Sequence, residues 1–369
     1  MKKVLFICTS SQSIYNFRLP LIRKMESAGY SVETVSFDDK YRDLLMQNDV
    51  RNHCIDHDGR TVNPFKIRDL KRKIREQIGI LKPDIVFTFM AKPNVYGSLA
   101  ARQAGVKKLF SMVEGAGDPF IRSGIKWKLV KKAECRLYKK VFRYAAKVFF
   151  LNQDDKRVFL DLHLLKKEQA AIINGVGVDL KRFTYKEIDE TSNTFIMVAR
   201  MLTTKGVLDY CECARLVRSK NPCARFLYLG AEGDLRVPDI DSYVKNKDVE
   251  YLGNVPDVRP YLEAALMMVL PSYREGKPVS VMEAAAVGRG VIVSDCIGCR
   301  DMVVDGFNGF LVKPKDPEEM AGICLEVLNN KTIAKRMGYH SRIIAETVFD
   351  QDVINDRILE VLNENCSFA

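Results

Sequence analysis

From the first residues to about Val312 the chain alternates short apolar runs of strand length with longer segments whose apolar residues recur at three- and four-residue steps. This alternation constrains the fold most. A run buried on both faces belongs in a parallel sheet, and each parallel neighbour needs a crossover helix. We read strands at Val4–Cys8, Ser31–Ser36, Asp84–Met90, Lys108–Met112 and Lys147–Leu151. A polar stretch, Lys181–Asn193, interrupts the rhythm. It resumes with strands at Thr194–Ala199, Arg225–Gly230, Val249–Gly253, Met267–Leu270, Val291–Ser294 and Phe310–Val312, and the remainder, through Val353–Leu362, carries helical periodicity alone. The prediction is an α/β protein with two doubly wound sheets, in residues 1–185 and 186–369, the last helices crossing back to the first domain. A chain of 369 residues is long enough for two cores.

No apolar run approaches the ~20 residues of a spanning helix, and the apolar stretch near Met1 is too short for a secretory leader. The ten cysteines are expected to be reduced and mostly buried. Cys296-Ile297-Gly298-Cys299 has no second pair at metal spacing, and the chain has only four histidines, so no metal site is expected.

Charge is uneven: Lys and Arg outnumber Asp and Glu by 36 to 19 in residues 1–185, and are outnumbered by 28 to 22 in residues 186–369. Two blocks concentrate the cations, Lys66–Arg75 and Arg122–Lys147. In the second, Trp127, Val130, Leu137, Tyr138, Val141, Phe142 and Ala145 form a helical stripe flanked by Lys and Arg. Such a helix could lie on an anionic membrane surface or pack its stripe on its own sheet. No helix-turn-helix, zinc-finger or aromatic RNP pattern supports a nucleic-acid partner.

The stretch from Met267 to Val312 carries the most chemistry. A strand ends at Leu270, and Pro278 stands where the first position of a helix prefers it. The intervening Arg274–Lys277 loop would offer backbone N–H groups and a helix N-terminus to a diphosphate. Glu275 lies in this loop and Glu283 in the helix, where a carboxylate can bond the two hydroxyls of a ribose. In Ala199–Gly206, Arg200 and Lys205 could neutralise a diphosphate without any metal. Neither Cys8–Tyr15 nor Ala199–Gly206 holds the Gly-x-Gly-x-x-Gly turn of a dinucleotide-dependent oxidoreductase.

Together, Glu275 with Glu283, Arg200 with Lys205-Gly206, Asn174-Gly175-Val176 with Asp179 and Phe183, and Asp305-Gly306-x-Asn308-Gly309 resemble the family-4 retaining glycosyltransferases of GT-B fold. Ser13–Met25 and Met112–Ile121 are similar to bacterial members that extend undecaprenyl-diphosphate-linked sugars. The resemblance implies two Rossmann-like domains facing across a cleft. It implies that Arg200 and Lys205 hold the donor diphosphate and that Glu283 takes the ribose. Glu275, Gly276, Lys277, Pro278 and Val279 would line the donor sugar and β-phosphate. The base would lie near Gly253 to Val255, and the Ser10–Ile14 loop, with Ser13, would close over the donor. On the acceptor or membrane side stand Arg18, Lys131, Lys132, Lys139 and Lys140.

The sequence departs from the family in three places. Ser10-Ser11-Gln12-Ser13 replaces a common Gly-Gly. Glu114 follows Val113 where many members have a His, so the His role is either absent, with Glu114 a structural turn residue, or taken by Glu114 as a candidate base or acceptor-orienting group. Lys277 stands where an apolar residue is common, either adding charge near the phosphate or pointing to solvent. The implied activity is transfer of a hexose or N-acetylhexosamine, with retention, from a UDP-sugar co-substrate to a lipid-diphosphate-linked glycan. Neither metal nor cofactor is expected, and the protein would be cytoplasmic, peripheral on the inner face of the plasma membrane. A GDP-sugar donor, a soluble acceptor, a sugar-nucleotide epimerase and a non-catalytic membrane-surface nucleotide-sugar-binding protein stay open as alternatives.

Overall fold

A computed structural model describes residues 1–59, 61, 63–120 and 124–366. The chain forms two compact units, Met1–Ile173 with Ile354–Ala369, and Asn174–Val353. The first unit has seven parallel strands: β1 (Lys2–Ile7), β2 (Tyr30–Ser36), β3 (Asn52–Cys54), β4 (Ile85–Phe89), β5 (Lys108–Val113), β6 (Lys147–Phe150) and β7 (Ala170–Ile172). They run side by side in the order β3-β2-β1-β4-β5-β6-β7. The second unit has six: β8 (Thr194–Val198), β9 (Arg225–Leu229), β10 (Glu250–Gly253), β11 (Met267–Leu270), β12 (Gly290–Ser294) and β13 (Gly309–Val312), ordered β10-β9-β8-β11-β12-β13. Helices link successive strands, so both sheets are doubly wound.

All eleven strands read from the sequence form, each within two residues of its expected ends. The sequence reading missed β3 and β7. Each is a three-residue edge strand with no fully buried residue, held by ladder hydrogen bonds without the apolar signal that marks the inner strands.

The units divide after Ile173 rather than at 185/186, because Val178, Phe183 and Ile188 pack into the core of the second unit. At the other end, the helix Gln351–Cys366 gives Ile354, Ile358, Val361, Leu362 and Cys366 to the first unit's core, beside Phe6, Ile22 and Met25. Lys24, in the helix Leu19–Ser27, pairs with Asp356 at 2.7 Å, and Lys2 Nζ in β1 donates to the Cys366 carbonyl at 2.8 Å, pinning the helix Gln351–Cys366 to the first unit.

The second basic block forms the helix Ile125–Phe142, and Ile121 and Arg122 lie outside the described residues. Its apolar stripe divides. Tyr138, Val141 and Phe142 are buried against Phe150 and Phe159, whereas Ile125 and Leu129 in its first turns are 80% and 64% exposed. The packing reading of this stripe therefore holds for the carboxyl end of the helix, while the first turns stay exposed. Among the described residues no helix is long and apolar enough to cross a membrane.

Candidate functional site

In the second sheet, β8 has β9 on one side and β11 on the other, so the direction of strand succession reverses there. Doubly wound sheets place their ligands beyond the carboxyl ends of the strands at such a point. After β8 the chain turns through Thr203–Lys205 to Gly206, whose φ is +68°. A Cβ there would lie 2.0 Å from the Pro271 carbonyl oxygen. Glycine is thus required twice over, by the left-handed backbone and by the close approach of the β11 loop.

That approach brings Lys205 and Glu275 together from 70 positions apart: Lys205 Nζ stands 2.5 Å from Glu275 Oε1. Ser272 Oγ donates to the same oxygen at 2.7 Å. The Tyr273 N–H bonds the Thr204 carbonyl at 2.8 Å, joining the two loops through backbone as well. Arg200 is exposed on the same β8 loop, and among the described residues its guanidinium has no partner. Arg200, Lys205 and Glu275, expected from sequence at the donor diphosphate and sugar, therefore sit on these two adjoining loops, and Ser272, which donates to Glu275, was missed.

The helix Val279–Ala286 starts one residue later than expected, with Pro278 as its N-cap. Glu283 lies within this helix, where burial pushes its carboxyl up to about 7; Arg182 opposes the shift and Asp257 adds to it. Asp257 is held by Arg259 Nη2 at 2.6 Å, and Arg259 Nη1 donates to the Arg182 carbonyl at 3.3 Å. Arg182, Asp257 and Arg259 belong to no motif, and folding alone gathers them near Glu283. Gly253 ends β10 with φ +69°, its carbonyl accepting the Gly230 N–H at 2.8 Å, and Val255 packs half-buried on the core.

Lys277 does not point to solvent. It is 8% exposed, its ammonium reaches Asn174 Oδ1 at 3.5 Å, and burial lowers its pKa. Behind the loop, Cys296–Cys299 closes a tight turn through a Cys299 N–H bond to the Cys296 carbonyl at 3.1 Å. A Cβ on Gly298 would lie 2.3 Å from the Glu275 carbonyl oxygen, and Cys296 Sγ donates to the Ser272 carbonyl at 3.1 Å. The cysteine pair thus packs against the back of the Glu275 loop. Among the described residues no three His, Cys, Asp or Glu side chains cluster as metal ligands would.

The Asp305–Gly309 motif builds the fold. Buried Asn308 accepts the Val304 N–H at 2.7 Å, and Asp305 accepts the Leu311 N–H at 3.0 Å. A Cβ on Gly309 would fall 2.1 Å from the Val291 carbonyl, which fixes β13 against β12.

In the first unit the order reverses between β1 and β4. Ser10, just after β1, caps the helix Ser11–Phe17 by accepting the Ser13 N–H at 3.2 Å. The Ser11 N–H donates to Asp38 at 3.2 Å. The Ser10–Ile14 segment, expected as a closing loop, is therefore a clamped first helical turn. Ser13 is buried, and its hydroxyl has no partner among the described residues.

Arg18 was expected to face acceptor or membrane, yet its side chain is only 3% exposed. It lies over the Phe89 ring at 4.4 Å and forms an ion pair with Glu114, and burial lowers its pKa to about 10. A guanidinium finds both a flat aromatic face and a carboxylate here, so the interior holds it. Glu114 leaves the carboxyl end of β5 with 23% of its side chain exposed. Lys131 lies 5.0 Å over the Phe120 ring, whereas Lys132, Lys139 and Lys140 are exposed.

Residues 3–152 match the model of the family "Glycosyl transferase 4-like", and residues 192–330 match "Glycosyl transferases group 1". The chain is 27% identical over 369 residues to the N,N'-diacetylbacillosaminyl-diphospho-undecaprenol alpha-1,3-N-acetylgalactosaminyltransferase of Campylobacter jejuni, covering 96% of this chain and 97% of that protein. It is 30% identical over 274 residues to the UDP-Gal:alpha-D-GlcNAc-diphosphoundecaprenol alpha-1,3-galactosyltransferase of Escherichia coli, 68% of each chain. Among solved structures, Anabaena Alr3699/HepE in complex with UDP superposes with a TM-score of 0.82 at 18% identity, covering 99% of this chain and 100% of that one. The chain belongs to the glycosyltransferases of GT-B fold, with a 4-like first unit and a group 1 second unit.

Proposed function

We propose that the protein transfers a hexose or N-acetylhexosamine from a UDP-sugar, with retention, to a lipid-diphosphate-linked glycan, and that it works peripherally on the cytoplasmic face of a membrane. The observation that carries this reading is the meeting of Lys205 and Glu275 at the second unit's switch point, with Arg200 exposed on the same loop as Lys205. The undecaprenyl-diphosphate substrates named for the Campylobacter and Escherichia relatives support the acceptor class.

In this reading an arriving diphosphate draws Lys205 from Glu275, and Lys205, Arg200 and the N-terminus of helix Val279–Ala286 take its charge. The bond between the sugar's anomeric carbon and the phosphate oxygen breaks. The acceptor oxygen bonds that carbon on the same face, and the departing phosphate takes the acceptor proton. Because those cations stabilise the leaving group as it forms, the step needs neither general acid nor metal. Glu283, with a pKa of about 7, can accept from or donate to ribose hydroxyls. Lys277, inside the loop, adds positive potential near the β-phosphate. In the first unit Glu114 orients the acceptor.

The test is calorimetric titration of UDP, GDP and NAD into the protein with EDTA present. UDP binding is expected. Preference for GDP would move the donor to another sugar class, and binding of NAD without UDP would overturn the reading. An NMR readout of the product's anomeric configuration, with a synthetic lipid-diphosphate acceptor, then tests retention.

A further inference from the structure

The first unit holds a groove of about 1000 Å³ at the far end of its sheet from the loops described above. The helix Ile125–Phe142 follows β5 and precedes β6, so it runs antiparallel to the strands and ends at their amino edges. The 162–169 segment leads into β7 at that same edge. The groove lies between the two. Gln169 Nε2 donates to the carbonyls of Phe142 and Ala145 at 2.7 and 2.6 Å, capping the helix end and fixing the far wall.

Its lining joins two kinds of residue. Arg136, Lys139 and Lys140 come from the helix, Arg143 from its C-cap, and Lys166 and Lys167 from the opposite wall; no acid is among the lining residues. Leu160, Leu164 and Leu165 line it as well, with Leu164 and Leu165 buried. Glu168 in the same segment pairs with Lys166 at 3.8 Å outside the lining. Six cations around an apolar lining suit a ligand with a compact anionic head and a hydrocarbon body. Of the lysines assigned to the membrane from sequence, Lys139 and Lys140 line this groove, and Lys131 and Lys132 do not.

We propose that this groove is a binding site for anionic phospholipid, separate from the catalytic end of the unit, which seats the protein along the helix Ile125–Phe142 on an anionic bilayer. An 18-residue helix spans roughly 27 Å, so a bilayer touching both ends meets the exposed Ile125 and Leu129 at one and the groove at the other. The proposal deepens the reading of a lipid-linked acceptor and rests on it for the identity of the surface.

The experiment is co-flotation of the full chain with vesicles of phosphatidylcholine alone or with phosphatidylglycerol added. The wild type is compared with Lys166→Glu/Lys167→Glu and with a charge-matched control in the other basic block, Arg68→Glu/Arg75→Glu. All four substituted residues are exposed, so the fold is kept. The wild type is expected to favour phosphatidylglycerol vesicles. Each groove lysine near such a surface contributes about 1 kcal/mol, so the groove variant should bind them at least about tenfold more weakly than the control. UDP binding should be the same in all three proteins. Equal weakening in groove variant and control would overturn the site, because net charge would then explain the binding. So would a wild type that ignores phosphatidylglycerol, or one that binds a short RNA in its place. Absence of UDP binding with vesicle binding intact would instead break the glycosyltransferase reading and leave the groove standing.

Discussion

The two units use one architecture to hold charge in opposite ways. In the second, the switch-point loops carry a Lys205–Glu275 pair that keeps partial contact with solvent, and an exposed Arg200. In the first, the corresponding region buries its cation: Arg18 lies beneath the strand ends against Phe89, and only its partner Glu114 reaches outward. A charge that must engage an arriving diphosphate has to remain exchangeable. A charge that holds another group in place works better when desolvated and fixed. Under the proposed function, the contrast would put ligand chemistry in the second unit and leave Arg18 a positioning role in the first.

The comparison breaks if the two units respond alike to mutation. Lys205→Ala should lower kcat/KM by about 100- to 1000-fold, as losing one preorganised charge-stabilising donor does elsewhere, while Glu114→Gln should cost less. Equal losses would place chemistry in both units. Arg18→Met should destabilise the protein by about 2–3 kcal/mol, below the full cost of orphaning a buried charge because Glu114 can turn to water. Urea denaturation measures this, and the double variant Arg18→Met/Glu114→Gln should recover much of the loss. Gly206→Ala should cost about 1–3 kcal/mol through its positive φ and the clash with Pro271.

The smallest effect is a pH slope. Burial raises the Glu283 carboxyl from 4.5 to about 7, so the cost of ionising it is absent below about pH 4.5 and grows as pH rises toward and through 7. Wild-type melting temperature should therefore fall relative to Glu283→Gln between pH 5 and 8. Glu134 in the first unit, also raised to about 7 by burial and opposed by a hydrogen bond from Tyr138, should behave alike in Glu134→Gln. A flat difference for one residue only would show which unit's carboxyl ionises freely in the native state.

Much of the candidate site in the second unit was legible in the sequence because its residues sit at fixed offsets from strand ends. Lys205 follows β8 by a short turn, Glu275 follows β11, and a buried parallel strand is a strong apolar signal. Arg18 was misplaced because nothing local distinguishes a surface arginine from one lying under an aromatic ring donated by β4. The serine-rich segment after β1 read as a loop, although Ser10 is a good N-cap and Asp38 clamps the next residue.

By itself the sequence determined the parallel α/β plan, the inner strands of both sheets and the residue types at the second switch point, because those depend on periodicity and on neighbours in the chain. Only the tertiary structure decided which charges are buried and which exposed, that Arg182 and Asp257 gather near Glu283, and that cations from a helix and a distant segment line one groove. Burial and electrostatics depend on distances between residues far apart in sequence, and only the folded chain fixes those distances.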